Sequence, residues 1–143
     1  LEIRLASGLT LDSQINVQKG EEELDDGTKS PSRHAAPTFG MSRITWQQKK
    51  VKLQLYAVYS SEVSYQDLAQ EERGKTEIYA ADANGDPYSP GWSTLNLKGS
   101  YQLSPAISLN LGLENITDQR YRPYSSGIAA AGRNFIISLR ALI

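Results

Sequence analysis

Apolar and polar residues alternate with a period of two along most of this chain. The clearest run closes it. Ile107, Leu109, Leu111 and Leu113 interleave with Ser108, Asn110, Gly112 and Glu114. Phe135, Ile137, Leu139, Ala141 and Ile143 then share one face, with Asn134, Ser138 and Arg140 on the other. That period puts the apolar side chains on one side of a strand. Ile107 to Ile143 therefore reads as a hairpin, its arms joined by the loop-forming stretch ITDQRYRPYSSGIAAAG. Upstream the rhythm recurs in Leu1, Ile3 and Leu5, and then in Leu9, Leu11, Ile15 and Val17. It returns from Phe39 to Trp46, with Ile44 and Trp46 on one face, and from Val51 through Leu53, Leu55, Ala57 and Tyr59 to Val63 or Tyr65. Leu95, Leu97, Tyr101 and Leu103 complete the series. No helical period of useful length occurs.

The connections carry as much information as the strands. Short ones (Ala6 to Gly8, Gln47 to Lys50, Ser104 to Ala106) alternate strictly with long ones (Gly20 to Pro37, Gln66 to Pro90, Ile116 to Ala131). In an up-and-down meander this places all long loops at one end of the sheet and all short turns at the other. Gly20 to Pro37 lacks periodicity and is expected to be a plain loop. Within the second long loop, Thr76 to Ala81 is read as a strand extension leading to an Asn84-Gly85 turn. Outer-membrane barrels have short periplasmic turns and long outer loops, and several strands reach the roughly nine to eleven residues that cross such a membrane. The expected fold is all-β: an antiparallel up-and-down meander of about six long strands, part of a transmembrane β-barrel. Residues that face lipid would be the odd-numbered ones of the strands from Leu9, Val51 and Ser93. Tyr59, Tyr65, Tyr101 and Trp46 suit interfacial aromatic bands. The alternative is a soluble secreted β-sandwich that binds carbohydrate or protein.

Asn115-Ile116-Thr117-Asp118, followed by Tyr121-Arg122, then Gly132-Arg133 and a final alternating strand, resembles the carboxy end of TonB-dependent outer-membrane receptors. PYSPGW (Pro87 to Trp92) before a strand adds a looser likeness, while the last residue, Ile143, departs from the usual aromatic. The resemblance implies that residues 1–143 are the carboxy-terminal portion of a receptor barrel, with the plug domain and earlier strands absent. It implies residence in the bacterial outer membrane and contact with its lipid. It also implies uptake of a scarce nutrient (a ferric siderophore, haem, cobalamin or glycan) driven by TonB through an amino-terminal segment that these residues lack. Asn115, Asp118, Tyr121, Arg122, Gly132 and Arg133 would be the family motif, anchoring the last outer loop. Arg120, Arg122 and Tyr124 are candidates for contact with the small ligand, since arginines hold anions and tyrosines offer a ring and a hydroxyl.

Composition narrows the rest. The 143 residues suit a single domain. The first residue is Leu, so the chain is expected to be a processed or truncated piece. A net charge of −1 gives no basis for nucleic-acid binding. Absence of cysteine excludes disulfides and thiol chemistry. The longest apolar run, Leu55 to Tyr59, is five residues, too short for a transmembrane helix but no obstacle to a barrel. Asp82, Asn84 and Asp86 mimic the start of a calcium loop, but Pro87 and Ser93 stand where Gly and Glu are needed, so no metal is expected. His34 is the only histidine and reads as a loop residue. The acidic run Glu21 to Asp26 reads as a solvated loop. No catalytic constellation or phosphate loop is recognisable, so neither an enzyme nor a cofactor is expected. Six strands are too few to close an ordinary barrel. Alone, the segment is expected to self-associate through its unpaired edges and apolar face.

Overall fold

The computed structural model describes residues Leu1 to Leu142, so the apolar position read at Ile143 lies outside the described residues. The strands in chain order are β1 (Glu2–Ala6), β2 (Leu9–Asn16), β3 (Glu21–Glu23), β4 (Lys29–Pro31), β5 (Phe39–Gln48) and β6 (Val51–Ser60). They continue as β7 (Ala80–Ala81), β8 (Pro87–Tyr88), β9 (Trp92–Ser104), β10 (Ile107–Glu114) and β11 (Asn134–Ala141). Seven of these form one sheet in the order β1-β2-β5-β6-β9-β10-β11, and each is antiparallel to its neighbours. This is the expected meander, open at β1 and β11. Its count is seven because the short first arm is a full partner of β2, despite a bulge between Arg4 and Ala6. No helix among the described residues is long and apolar enough to cross a membrane.

The pattern of side chains explains the register. Ile3, Leu11, Ile44, Leu55, Leu97, Leu113 and Phe135 stand opposite one another in successive strands, a single apolar row across the whole sheet. Each such pair contributes roughly 0.2–1 kcal/mol. A one-residue slip in any strand would turn its apolar set to the wrong face. In β5 the even-numbered Ile44 and Trp46 share that face, because the Lys49–Lys50 turn sets Trp46 against Leu53. Ser13 and Ser42 also lie on it, and their hydroxyls bond to each other at 2.8 Å, which keeps both polar atoms satisfied.

The opposite face is polar and cross-linked. Arg43 pairs with Asp12 at 3.3 Å, and Lys98 with Glu114 at 3.3 Å. Gln54 donates to Thr45 at 3.2 Å, and the Tyr56 hydroxyl donates to Glu114 at 3.3 Å. Phe39, Met41 and Val58 toward the long loops, and Ile136 beside Gly112, are apolar exceptions on this face.

Nothing covers the apolar face: Leu55 is 43% exposed, Leu97 41% and Leu139 65%. Soluble monomers rarely carry so broad an apolar surface. A sandwich would bury this face under a second sheet, and none packs there among the described residues. The buried apolar residues lie instead in the second long loop: Val63, Leu68, Ala69 and Tyr79.

Consecutive antiparallel strands put the three two-residue turns (Ser7–Gly8, Lys49–Lys50 and Pro105–Ala106) at one end and residues 17–38, 61–91 and 115–133 at the other. Two long loops are more ordered than periodicity suggested. Glu21 to Pro31 is a hairpin, β3 on β4, turned at Asp26-Gly27 with Gly27 at φ 78. In the second loop the extension expected from Thr76 shrinks to Ala80–Ala81, because Lys75 and Ile78 donate backward into turns to Glu72 and Lys75. The Asn84-Gly85 turn is present, with Gly85 at φ 90. β6 ends at Ser60, and Val63 makes only a single bridge to Ser89.

Gly40 is a place where one methyl has no room. A Cβ there would meet the Gln14 carbonyl oxygen and the Tyr59 ring that lies across the strand. Gly40→Ala is expected to cost about 1–3 kcal/mol, read as a lower urea midpoint for the folded protein in detergent.

Candidate functional site

The conspicuous polar sites lie at the long-loop end. Where β10 stops, Asn115 adopts φ 48, a left-handed conformation that Asn tolerates better than most residues. It is buried, and every part of it is used. Its N–H donates to Asn96 Oδ1 at 2.8 Å, and its Nδ2 donates to the carbonyls of Gln119 (2.9 Å) and Ala131 (3.2 Å). Its Oδ1 accepts from the Gln119 N–H at 2.9 Å. Asp118, at φ 55, accepts the Arg133 N–H on Oδ1 at 2.7 Å. A Cβ at Gly132 would press on that same oxygen, so glycine fits there. Arg133 Nε returns a bond to the Ile116 carbonyl at 3.0 Å. Asn115, Asp118, Gly132 and Arg133 thus meet where the third loop leaves and rejoins the sheet. Tyr121 stacks on Trp92 with centroids 4.1 Å apart, and Arg122 Nη1 donates to the Glu77 carbonyl at 3.1 Å. Asn96 and Trp92, the partners on β9, were not singled out from the sequence as members of this group.

A second cluster joins all three loops, and no local pattern in the sequence points to it. Glu72, one of six acids between Gln66 and Pro90, is fully buried. Its carboxylate accepts from the Tyr79 hydroxyl at 2.8 Å, pairs with Lys75, lies 3.5 Å from Arg33 Nε, and accepts a weak bond from Ser125 Oγ at 3.4 Å. Arg33 comes from the first loop, Lys75 and Tyr79 from the second, Ser125 from the third. Burial works against the charge, but the bonds from Lys75 and Tyr79 outweigh it and hold the Glu72 carboxyl below the usual carboxylate range. Burial and the adjacent Glu72 carboxylate push the Tyr79 hydroxyl upward. Tyr124 packs against Tyr79 at 6.3 Å, and burial raises its hydroxyl as well. Ser30 of β4 adds a further tie by accepting the Gln70 N–H at 3.0 Å.

Beside this cluster a cleft of about 380 Å³ opens between the second and third loops, lined in part by Tyr79, Ser89, Arg120, Tyr121, Arg122 and Ser125. Of the ligand candidates, Arg120 and Arg122 reach it; Tyr124 does not line it and packs behind Tyr79.

The remaining sites resolve simply. Asp82 spends its carboxylate on the N–H groups of Asp86 (2.9 Å) and Asn84 (2.8 Å), bonds that favour its ionised form and hold it below the usual carboxylate range. His34 is exposed, with Nδ1 3.4 Å from Ser125 Oγ. Within the acidic run, Asp26 caps its own turn through the Thr28 hydroxyl and N–H, which favour its ionised form and hold it below the usual carboxylate range.

No family model and no curated protein matches this sequence. Solved structures do. The copper transporter OprC superposes with a TM-score of 0.75 at 14% identity, over 98% of this chain and 22% of its own. The ferric enterobactin receptor PfeA from Pseudomonas aeruginosa gives 0.68 at 20% identity, over 99% and 21%. The siderophore receptor PiuA from Acinetobacter baumannii gives 0.57 at 15%, over 98% and 20%. The chain spans about a fifth of the length of these solved chains. The seven-stranded sheet therefore has the fold of a barrel segment of such receptors, as the resemblance of its carboxy end to TonB-dependent receptors implied.

The Glu72 cluster makes loop order depend on pH in a definite direction. Its folded pKa is depressed, so the stabilisation is complete above the unfolded value of about 4.3 and is lost as pH falls through the lower folded value. Glu72→Gln is expected to weaken the cluster by about 1.5–3 kcal/mol at neutral pH. It should also abolish the acid-dependent loosening, as seen by hydrogen exchange at Leu68 and Ala69.

Proposed function

We propose that residues 1–143 form the carboxy-terminal part of a TonB-dependent outer-membrane receptor. In this reading the plug domain, the earlier strands and the TonB-contacting segment lie outside this chain. The protein is a transporter, not an enzyme, located in the bacterial outer membrane. It takes up a small scarce nutrient: a ferric siderophore, haem, cobalamin or glycan. The observation that carries the reading is a single open sheet, apolar on one face and polar on the other, with every long loop at one end. Lipid is the natural cover for the apolar face. The free edges of β1 and β11 are natural seams for the strands of a larger barrel, since an unpaired edge invites a partner. The polar face, with Asp12–Arg43 and Lys98–Glu114, suits a water-filled interior.

Asn115, Asp118, Gly132 and Arg133 would then clasp the base of the last outer loop, and the stack of Tyr121 on Trp92 would brace it. Asp118→Ala should speed exchange of the Arg133 amide and cost this clasp about 1 kcal/mol, with the strands unchanged. Unaltered exchange would remove the clasp.

Orientation tests the whole reading. Single cysteines at Asp25, Asn84 and Gly127 should react with an impermeant thiol reagent on intact cells. Cysteines at Ser7 and Pro105 should react only after lysis. The reverse pattern, or no outer-membrane material at all, would refute the assignment.

A further inference from the structure

The cleft between the second and third loops has a chemistry that the barrel fold does not require. Arg120 and Arg122, two apart in the third loop, both line the cleft. Tyr121, between them, turns onto Trp92. That stack and the Ala130 N–H bond to the Tyr121 carbonyl (3.0 Å) fix the segment that carries the two guanidinium groups. Among the described residues neither arginine pairs with a carboxylate. Arg120 makes no side-chain hydrogen bond, and Arg122 makes one, to a backbone carbonyl. Each guanidinium carries five donors, so most remain free.

The cleft lining contains no acidic residue, while Ser89, Ser125, Tyr79 and Tyr121 border it. Glu72 bonds to the cleft-lining Tyr79 but is buried and paired with Lys75 and Arg33. Its volume, about 380 Å³, lies in the range of small-molecule sites. We infer that this cleft binds an oxyanion, the carboxylate or phosphate group of a small molecule, held by Arg120 and Arg122 through paired N–H donors. Planar guanidinium forks suit such groups, and an apolar ring beside the anion suits a ligand with a flat body. The inference rests on the outward-loop reading above for its access to external ligand. It deepens that reading by naming the group recognised.

The test is calorimetric titration of the complete protein in phosphatidylcholine nanodiscs with inorganic phosphate and with phthalate. At least one probe should bind, and Arg120→Gln/Arg122→Gln should weaken it tenfold or more. Lys50→Gln, at the opposite end of the sheet, should leave binding unchanged. Arg120→Gln alone, which removes no contact within the fold, should give a smaller loss and guards against misfolding of the double variant. Repeating the titration in discs containing phosphatidylglycerol separates the sources. A tenfold weaker apparent affinity for phthalate marks a lipid phosphate as occupant, and no change marks a soluble anion; either supports an oxyanion site. Absence of binding by both probes at millimolar concentration, or equal binding by wild type and the double variant, overturns it. None of this depends on cellular orientation, so failure of the labelling experiment and failure of this one remain distinct.

Discussion

Main-chain pairing between antiparallel neighbours, held in one register across six interfaces, is the constraint from which the rest of the molecule follows. Once Leu11, Ile44, Leu55, Leu97 and Leu113 are opposite one another, every remaining strand residue is assigned to a face. The sheet is one layer thick, so its apolar side chains find no partner within the chain. A soluble fold would answer with a second layer. Here the apolar face stays bare, and the polar face is closed by cross-strand pairs such as Gln54 with Thr45.

Packing against protein is therefore displaced from the sheet to its loops. Among the described residues Leu68 and Glu72 are the largest fully buried side chains, and both come from the second loop. A buried carboxylate is tolerable because its oxygens face Tyr79, Lys75, Arg33 and Ser125, which replace the water it has lost. The loops are consequently a small folded unit of their own, with a polar centre and a thin apolar surround of Val63, Leu68, Tyr79, Ile78 and Tyr124.

What the sequence disclosed and what it hid divide along a physical line. Period two, turn spacing and the Asn115-to-Arg133 motif are local, and the meander, its faces and the long-loop end were legible from them. Asp26-Gly27 is a hairpin-turn dipeptide of the same kind as Asn84-Gly85. Its signal was present, but flanking glutamates masked the strands it joins. Ile136 breaks the alternation, and only its packing beside Gly112 explains it. Glu72 was indistinguishable from five neighbouring acids. Its burial depends on Arg33 and Ser125, about forty and fifty residues away, and no local pattern encodes such a meeting. The packing of Tyr124 against Tyr79 is a tertiary fact of the same kind.

The near-zero net charge conceals a separation along the strand axis. The three long loops hold thirteen of the sixteen acidic residues but only eight of the fifteen lysines and arginines; the strands and short turns therefore carry a positive surplus. The segment is an axial dipole with its negative pole at the loops. Cations approaching from that side gain, and anions are repelled, except over the third loop, which holds Arg120, Arg122 and Arg133 against a single acid, Asp118. Fields of this kind act over about a Debye length of 8 Å at physiological salt. An anion would thus be guided by a local gap in a repellent rim, and the rim itself would filter what reaches it.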